Sequence, residues 1–263
     1  MYAFAYERPA ALADAVAKIS AGGQALAGGQ TLIASLKQRL AQPGSLVDLG
    51  SLSELSGIKK EGNTLVIGAM TRHEFVADSA EVKSSVPGLA SLAGQIGDRQ
   101  VRAMGTLGGS VANNDPAACY PSAVLALGAT VQTNKRKIAA DDFFQGMYTT
   151  ALEEGELITA IHFPLAQKSA YAKFRQPASR FALVGVFVAQ TDQGVRVAIT
   201  GAGNGVFRHA GLEAALSKSF TAEAVEGVTI DANELNGDLH ASAAFRAQLI
   251  KVQTQRAVQQ ANG

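Results

Sequence analysis

The sequence predicts an α+β fold in two parts, a first domain over residues 1–165 and a smaller α+β domain over residues 166–263. The length supports two parts, because 263 residues exceed one typical domain of roughly 150 residues. Hydrophobic residues make up 47% of the chain and charged residues 17%, which is enough apolar material for a sizeable core. The polar residues 166–169 mark the boundary, and strand patterns precede helical patterns beyond it.

In the first domain, apolar periodicity assigns the early elements in chain order. Alternating side chains predict a short strand over residues 2–6, and spacings of three and four predict a helix from Pro9 to Ile19. A buried strand over residues 25–27 ends at a pair of glycines, and Gln30 opens the next helix. Residues 46–49 then form a strand. The first glycine pair therefore falls between a strand and a helix.

The middle of the chain combines regular patterns with one long polar segment. Two strands joined by a turn at Gly62 predict a hairpin, and Thr71 with Glu74 matches a capping box that starts a helix. His73, inside this box, is expected to be a solvated residue of the first turn. Residues 97–121 show no regular pattern, and a polar loop of this length is usually functional. Helical patterns flank it over residues 89–96 and 122–127.

Strand patterns lead into the second domain, and helices close it. Residues 200–205 follow a strand and precede a helix, as a dinucleotide-binding fingerprint would, but Val206 stands where that motif requires glycine. We interpret this segment as a structural turn. The strands are predicted over residues 156–163, 171–175, 181–190 and 195–200, and the helices over residues 212–216 and 243–258.

The composition excludes several classes of protein. The 23 Lys and Arg residues balance 22 Asp and Glu residues, so the chain lacks the basic field of a nucleic-acid-binding protein. A single cysteine excludes a disulfide framework, a four-thiolate zinc site and an iron–sulfur cluster, and four scattered histidines disfavour another metal site. With no signal peptide and no apolar stretch of about 18 residues, we expect a soluble, cytoplasmic protein without a transmembrane segment.

Two glycine pairs share a sequence context that points to binding of an anion. Gly28-Gly29 and Gly108-Gly109 each follow an extended segment and have a hydroxyl side chain nearby. Glycine permits positive φ and lacks a Cβ atom, so consecutive N–H groups can turn toward one pyrophosphate. The competing interpretation is that each pair only makes a tight turn. The polar residues Asn113, Asn114 and Asp115 follow the second pair and favour a ligand site.

Cys119 lies in the same polar segment. A nucleophilic cysteine needs a histidine partner, and none is near it in the sequence. We interpret Cys119 as a small packing residue beside a ligand. No residue of the chain is therefore assigned a catalytic role, and none is assigned to a metal.

Six segments in a fixed order carry a family resemblance: residues 27–32, 46–49, 67–71, 96–116, 144–148 and 156–164. The most specific is 96–116, which contains Met104-Gly105-Thr106-Leu107-Gly108-Gly109-Ser110. Together they resemble the medium, FAD-binding subunit of the xanthine dehydrogenase and carbon monoxide dehydrogenase family of molybdenum hydroxylases, over about residues 1–200. The resemblance implies a two-part FAD-binding domain of the vanillyl-alcohol oxidase (PCMH) type over residues 1–165. A small α+β domain, like the C-terminal domain of carbon monoxide dehydrogenase flavoproteins, would follow over residues 166–263.

The resemblance also implies FAD as the cofactor and assigns its contacts residue by residue. Ile96 packs beside the flavin, Ile158 lies on the adenine side, and Arg175 takes a place where relatives often carry lysine. Cys119 stands where relatives commonly have aspartate, so a carboxylate hydrogen bond to the flavin is missing there. Asn113, Asn114 and Asp115 line the cofactor loop. The residues around the pyrophosphate and ribityl groups are Leu26, Ala27, Gly28, Gly29, Gln30, Thr31, Thr106, Leu107, Gly108, Gly109 and Ser110.

The implied function is electron transfer within a heterotrimeric molybdenum hydroxylase, an oxidoreductase. A large molybdopterin-binding subunit would oxidise the substrate, and a small subunit would carry [2Fe–2S] clusters. FAD on this chain would then pass the electrons to an external acceptor. The implied assembly is a dimer of heterotrimers. Two alternatives stay open: a stand-alone FAD-dependent oxidase of the vanillyl-alcohol oxidase type, and a non-catalytic binding or assembly protein.

Overall fold

Runs of strands and runs of helices make up the computed structural model, which describes all of residues 1–263 and confirms the α+β fold class. None of the helices combines the length and the apolar character that a membrane crossing requires. The strands are β1 (Ala5–Glu7), β2 (Gln24–Leu26), β3 (Ser45–Asp48), β4 (Ile58–Glu61), β5 (Thr64–Gly68), β6 (Thr130–Thr133), β7 (Lys137–Ala139), β8 (Phe144–Gly146), β9 (Thr149–Thr150), β10 (Ile158–Pro164), β11 (Lys168–Arg175), β12 (Ala182–Thr191), β13 (Gly194–Thr200) and β14 (Phe207–Arg208). The helices are α1 (Leu12–Ser20), α2 (Leu32–Lys37), α3 (His73–Asp78), α4 (Ala80–Ser85), α5 (Pro87–Gly94), α6 (Arg99–Met104), α7 (Leu107–Asn113), α8 (Tyr120–Ala126), α9 (Ala140–Phe143), α10 (Ala210–Lys218) and α11 (Ala243–Asn262).

A three-stranded parallel sheet, in the order β1-β3-β2, begins the fold. Helices α1 and α2 connect its strands, and the apolar face of α1 packs with the central strand in a small core. Ala15 and Val47 are fully buried in that core. Strand β2 ends at Leu26, so the first glycine pair follows the sheet directly.

A five-stranded antiparallel sheet follows, in the order β4-β5-β10-β6-β7. The hairpin predicted at Gly62 is present as β4 and β5. Strand β10 lies at the centre and pairs with both β5 and β6. Leu65, Ile67 and Ile161 are fully buried and join these strands to the main core.

The polar segment 97–121, expected to be a loop, contains helices α6 and α7 and the start of α8. Each short helix has a side-chain cap: Asp98 accepts a hydrogen bond from the N–H of Val101 (2.9 Å), and Thr106 Oγ1 accepts one from the N–H of Gly109 (3.2 Å). Hydrophobic periodicity does not reveal these helices, because each is only about two turns long and α7 contains two glycines.

The capping box predicted at Thr71 is wrong. Thr71 Oγ1 accepts a hydrogen bond from the N–H of Gly57 (3.0 Å) and donates one to its carbonyl (3.1 Å). Arg72 is the N-cap residue of α3, and His73 is 4% exposed instead of solvated. A tertiary contact between two turns therefore replaces the local motif.

The four-stranded antiparallel sheet β11-β12-β13-β14 shares a core with the preceding part of the chain. Helix α11 packs on it, and α5 and α8 contact it from the first part of the chain. The main cluster of 31 buried hydrophobic residues accordingly includes Tyr171 and Phe187. Gly88 allows close packing of α5, since a Cβ there would lie 2.8 Å from the backbone nitrogen of Ala170.

Candidate functional site

The two glycine pairs, far apart in the sequence, belong to segments that lie against each other. A Cβ at Gly28 would lie 2.3 Å from the carbonyl oxygen of Met104 and 2.7 Å from Cα of Gly105. A Cβ at Gly109 would lie 3.4 Å from Cβ of Ala27. Only glycine permits this approach at Gly28. Residues 26–31 and 104–110 therefore form one feature, called the glycine cradle below.

The first half of the cradle presents backbone donors that have no acceptor. The N–H groups of Gly28, Gly29, Gln30 and Thr31 make no hydrogen bond to any protein group, and Gly29 has φ +71°. Unpaired backbone N–H groups are available to a ligand, and a run of them in a turn suits an anion. This half therefore fits a pyrophosphate.

The second half of the cradle serves close packing instead of donating to a ligand. The N–H of Leu107 donates to the carbonyl of Thr71 (3.0 Å), and the N–H of Gly108 donates to the carbonyl of Ala69 (2.8 Å). A Cβ at Gly108 would lie 2.5 Å from Cβ of Ala69. Neither Gly108 nor Gly109 has a positive φ, since both lie in α7. The expectation of turned N–H groups is therefore met by the first pair alone.

The polar loop after α7 is held by Asn114. This residue has φ +44°, and its Nδ2 donates to the carbonyls of Gly146 (2.8 Å) and Thr149 (2.7 Å). Its buried Oδ1 has no hydrogen-bond partner. One carboxylate oxygen of Asp115 accepts a hydrogen bond from Tyr148 Oη (3.4 Å). Asn114 thus fastens the loop to the β8–β9 hairpin, and half-buried Ser110 and Asn113 lie beside it.

A second group of assigned residues meets at Lys173, which the sequence analysis did not single out. Lys173 Nζ donates to the carbonyls of Gln95 (2.8 Å) and Arg180 (3.1 Å) and lies 3.4 Å from Cys119 Sγ. Arg175 Nη2 donates to Gln95 Oε1 at 3.4 Å. Cys119, which is buried, and Arg175 therefore lie close to the segment that contains Ile96. Strand alternation is the signal for Lys173, because residues two apart on β11 share one face.

Ile158 is linked to the glycine cradle by backbone hydrogen bonds of the residue that follows it. It is the first residue of β10, is 6% exposed and belongs to the main core. The next residue, Thr159, accepts a hydrogen bond at its carbonyl from the N–H of Ala69 (3.0 Å). Ala69 in turn accepts the hydrogen bond from Gly108, so β10 supports the second half of the cradle.

A neutral histidine lies behind the cradle. A Cβ at Gly105 would lie 2.5 Å from His73 Nε2, and the His73 ring packs 5.3 Å from that of Tyr120. Burial, together with the charge of Arg102, lowers the pKa of His73 to about 4. The ring is therefore uncharged at neutral pH and supports the cradle by packing.

A paired glycine cradle on an α+β scaffold fits the class of dinucleotide-binding proteins, and comparisons with known proteins name the dinucleotide. The family model described as the FAD binding domain in molybdopterin dehydrogenase matches residues 2–166. This chain belongs to the family of FAD-binding medium subunits of the molybdenum hydroxylases. Its cofactor is FAD, and it is a component of an oxidoreductase.

Similar proteins cover nearly the whole chain. The carbon monoxide dehydrogenase medium chain of Hydrogenophaga pseudoflava is 35% identical over 94% of both chains. The glyceraldehyde dehydrogenase medium chain of Sulfolobus acidocaldarius is 33% identical over 97% of this chain and 96% of its own. A chain of reconstituted CO dehydrogenase from Oligotropha carboxidovorans has a TM-score of 0.90 at 32% identity, covering 99% of this chain and 98% of that chain. The fold is therefore shared from end to end.

Proposed function

We propose that this chain is the FAD-carrying electron-transfer subunit of a heterotrimeric molybdenum hydroxylase. Its partners would be a large molybdopterin-binding subunit and a small [2Fe–2S] subunit, and the complex would be a dimer of heterotrimers. The relatives support this proposal, because their names describe medium chains and subunits of dehydrogenases and hydroxylases. Composition supports it as well, since one cysteine cannot ligate an iron–sulfur cluster on this chain.

Within this proposal, the chain binds and orients FAD, and the bound FAD supplies the redox chemistry. Residues 1–165 would form the FAD-binding domain and residues 166–263 the C-terminal domain. The free N–H groups of residues 28–31 would hold the pyrophosphate, and residues 106–110 would permit its close approach. Ile158 would lie on the adenine side. Ile96, Cys119 and Arg175 would lie at the flavin, and Asn113, Asn114 and Asp115 would line the cofactor loop.

The observation that carries the proposal is the run of unpaired N–H groups at residues 28–31, closed by the second half of the cradle. At the fingerprint-like segment 200–205, by contrast, the N–H of the first turn glycine, Gly201, donates to the carbonyl of Pro116 (2.7 Å).

The test compares the isolated chain with the assembled complex. We expect the purified chain to bind one FAD, with flavin absorption bands, and to oxidise no aldehyde, purine, N-heterocycle or carbon monoxide. Addition of the two partner subunits should produce dye reduction by one of these substrates. Turnover by the lone chain at roughly 1 per second or faster would favour the stand-alone oxidase. A chain without flavin bands would favour the binding or assembly protein.

A further inference from the structure

A cavity of about 470 Å³ is lined by both parts of the chain, and the proposed function does not use it. One wall is the glycine-rich turn over residues 203–206, which belongs to the segment that resembles a dinucleotide-binding fingerprint. The other walls are the β8–β9 hairpin with Asn114 and the segment of residues 230–235. This space is called the turn cavity below. It contains no residue of the glycine cradle.

The glycine-rich turn has backbone donors without acceptors. The N–H of Gly201, at its start, is paired, but the N–H groups of residues 202–206 make no hydrogen bond to any protein group. Ala202 and Gly203 are also buried residues, where an N–H group without an acceptor is costly. A run of such groups in a turn suits the oxygen atoms of a ligand. The turn therefore lacks an acceptor that the chain does not supply.

Two glycines of this turn are explained neither by backbone conformation nor by packing. Neither Gly203 nor Gly205 has a positive φ. A Cβ at Gly203 would lie 3.5 Å from the ring of Phe207, and one at Gly205 would lie 3.8 Å from Gly146, which are ordinary contact distances. Gly201 differs, because it has φ +80° and a Cβ there would lie 2.3 Å from a backbone carbonyl oxygen. The missing side chains at Gly203 and Gly205 therefore leave room in the cavity.

Asn114 gives an independent sign that a polar group belongs in the cavity. This residue lines the cavity and is 1% exposed. Its Nδ2 is fully used by the carbonyls of Gly146 and Thr149, but its buried Oδ1 has no donor in the chain. A buried amide oxygen without a donor is costly. A ligand in the turn cavity should therefore carry a donor on this side and an acceptor toward the glycine-rich turn.

The charges around the cavity indicate the sign of that donor. Glu234 lines the cavity, and its carboxylate forms no ion pair or side-chain hydrogen bond, while one oxygen of Asp231 accepts a backbone N–H (2.9 Å). Arg208 is already paired with Glu213 (2.8 Å). Burial lowers the pKa of His209, so its ring is uncharged at neutral pH. The unpaired charge is negative, which disfavours a diphosphate and favours an ammonium group.

We propose that the turn cavity binds a small zwitterion of the amino-acid class, which has a carboxylate, an ammonium group and an apolar body. The free N–H groups of residues 203–206 hold the carboxylate, and Glu234 with Asn114 Oδ1 receives the ammonium group. The apolar body lies against Phe207 and Leu235. The volume is in the range of small-molecule sites.

This site goes beyond the proposed function, because it requires neither the flavin nor a partner subunit. It is connected to the FAD-binding part through Asn114, which fastens the loop after α7 to the β8–β9 hairpin. Occupancy of the cavity is therefore expected to stabilise the contact between the two parts of the chain, and a ligand that binds only the folded protein raises its melting temperature.

The experiment is a calorimetric titration of the FAD-loaded chain with three probes that share a phenyl body. They are L-phenylalanine, hydrocinnamate, which lacks the ammonium group, and phenethylamine, which lacks the carboxylate. We expect L-phenylalanine to bind and each of the other two to bind about tenfold more weakly or worse. Glu234→Gln should weaken the binding of L-phenylalanine about tenfold without weakening that of hydrocinnamate. Glu223→Gln, at an exposed glutamate outside the cavity, is the matched control and should bind all three probes as the wild type does.

A second variant tests the glycine-rich turn. Gly205→Ala should keep the fold, because its Cβ meets nothing closer than 3.8 Å, and its methyl group should weaken L-phenylalanine and hydrocinnamate alike by taking room beside the carboxylate. The inference is overturned if L-phenylalanine does not bind, if the three probes bind equally, or if both variants keep the affinity of the wild type. Loss of flavin from either variant would also overturn it, by assigning the cavity to FAD. A wild-type chain without flavin would contradict the proposed function instead, and the same titrations of that chain would still decide the turn cavity.

Discussion

Gly28 is the residue at which the cradle has least room. The variant Gly28→Val adds a Cβ atom 2.3 Å from the carbonyl oxygen of Met104, so one backbone segment must move and carry its N–H groups away from the pyrophosphate. Losing a few kcal/mol of contact should weaken FAD binding about 100-fold or more. Flavin content and an FAD titration measure this. Gly44→Ala is the matched control, because a Cβ there meets nothing within 4 Å; a fully loaded Gly28→Val protein would refute the prediction.

Cys119 should tolerate replacement by serine. Its Sγ lies 3.4 Å from Lys173 Nζ, and a hydroxyl can keep a polar contact with that ammonium group. Lys173 is also held by two backbone carbonyls, so the wall around it should survive. We expect Cys119→Ser to retain most of its flavin and most of the turnover of the assembled complex. A loss of turnover by several orders of magnitude with FAD still bound would assign Cys119 a chemical role.

The lowered pKa of Glu156 predicts how the stability of the protein depends on pH. Burial raises the pKa of its carboxyl, but hydrogen bonds from Arg136 (3.1 Å) and Thr133 (2.6 Å) outweigh this effect and lower the pKa from 4.5 to about 2. A lowered pKa in the folded state stabilises the protein above pH 4.5, and this stability is lost as the pH falls toward 2. Urea unfolding at several pH values should show Glu156→Gln less stable at pH 7 and less sensitive to acid. The exposed Glu154→Gln control should follow the wild type.

At the scale of elements, the sequence predicts long periodic helices and the antiparallel hairpins well, and it fails where tertiary contacts decide. Helix α1 and hairpin β4–β5 follow from local pattern. Helices α6 and α7 do not, because they are short and depend on caps at Asp98 and Thr106. Likewise, the two glycine pairs are visible in the sequence, but their meeting at Met104 and Gly105 is a long-range contact that no local pattern contains.

Helix α7 gives a prediction at the same scale. Thr106→Val removes the hydroxyl that caps the N–H of Gly109, leaving a donor unpaired next to a buried side chain. We expect a loss of about 1 kcal/mol in the free energy of unfolding, the usual effect of losing an N-cap. Thr106→Ser keeps the hydroxyl and should stay close to the wild type. Equal stability of the valine and serine variants in urea would contradict a capping role.

For the whole molecule, the shared core predicts a single unfolding transition. Phe187 lies in β12 but belongs to the cluster that fills the first part of the chain. Phe187→Ala should therefore lower the free energy of unfolding by about 3–5 kcal/mol and destabilise both parts of the chain together. Hydrogen exchange of amides in α5 and α8, compared with amides in α11, measures this. Leu239→Ala, at a side chain that is 90% exposed, is the control. Loss of protection confined to residues after 166 would show two independent units.

The shared core also sets the order of events during synthesis. Helices α5 and α8 leave the ribosome before strands β11 to β13, against which they pack, have been made. At translation speeds of roughly 5–20 residues per second, the 97 residues after residue 166 take about 5–20 s to appear. When residue 166 has just been added, the glycine cradle is complete in sequence while the core behind it still lacks Tyr171 and Phe187. Stable loading with FAD is thus an event of the finished chain, and a nascent chain stalled at residue 166 should not retain the cofactor.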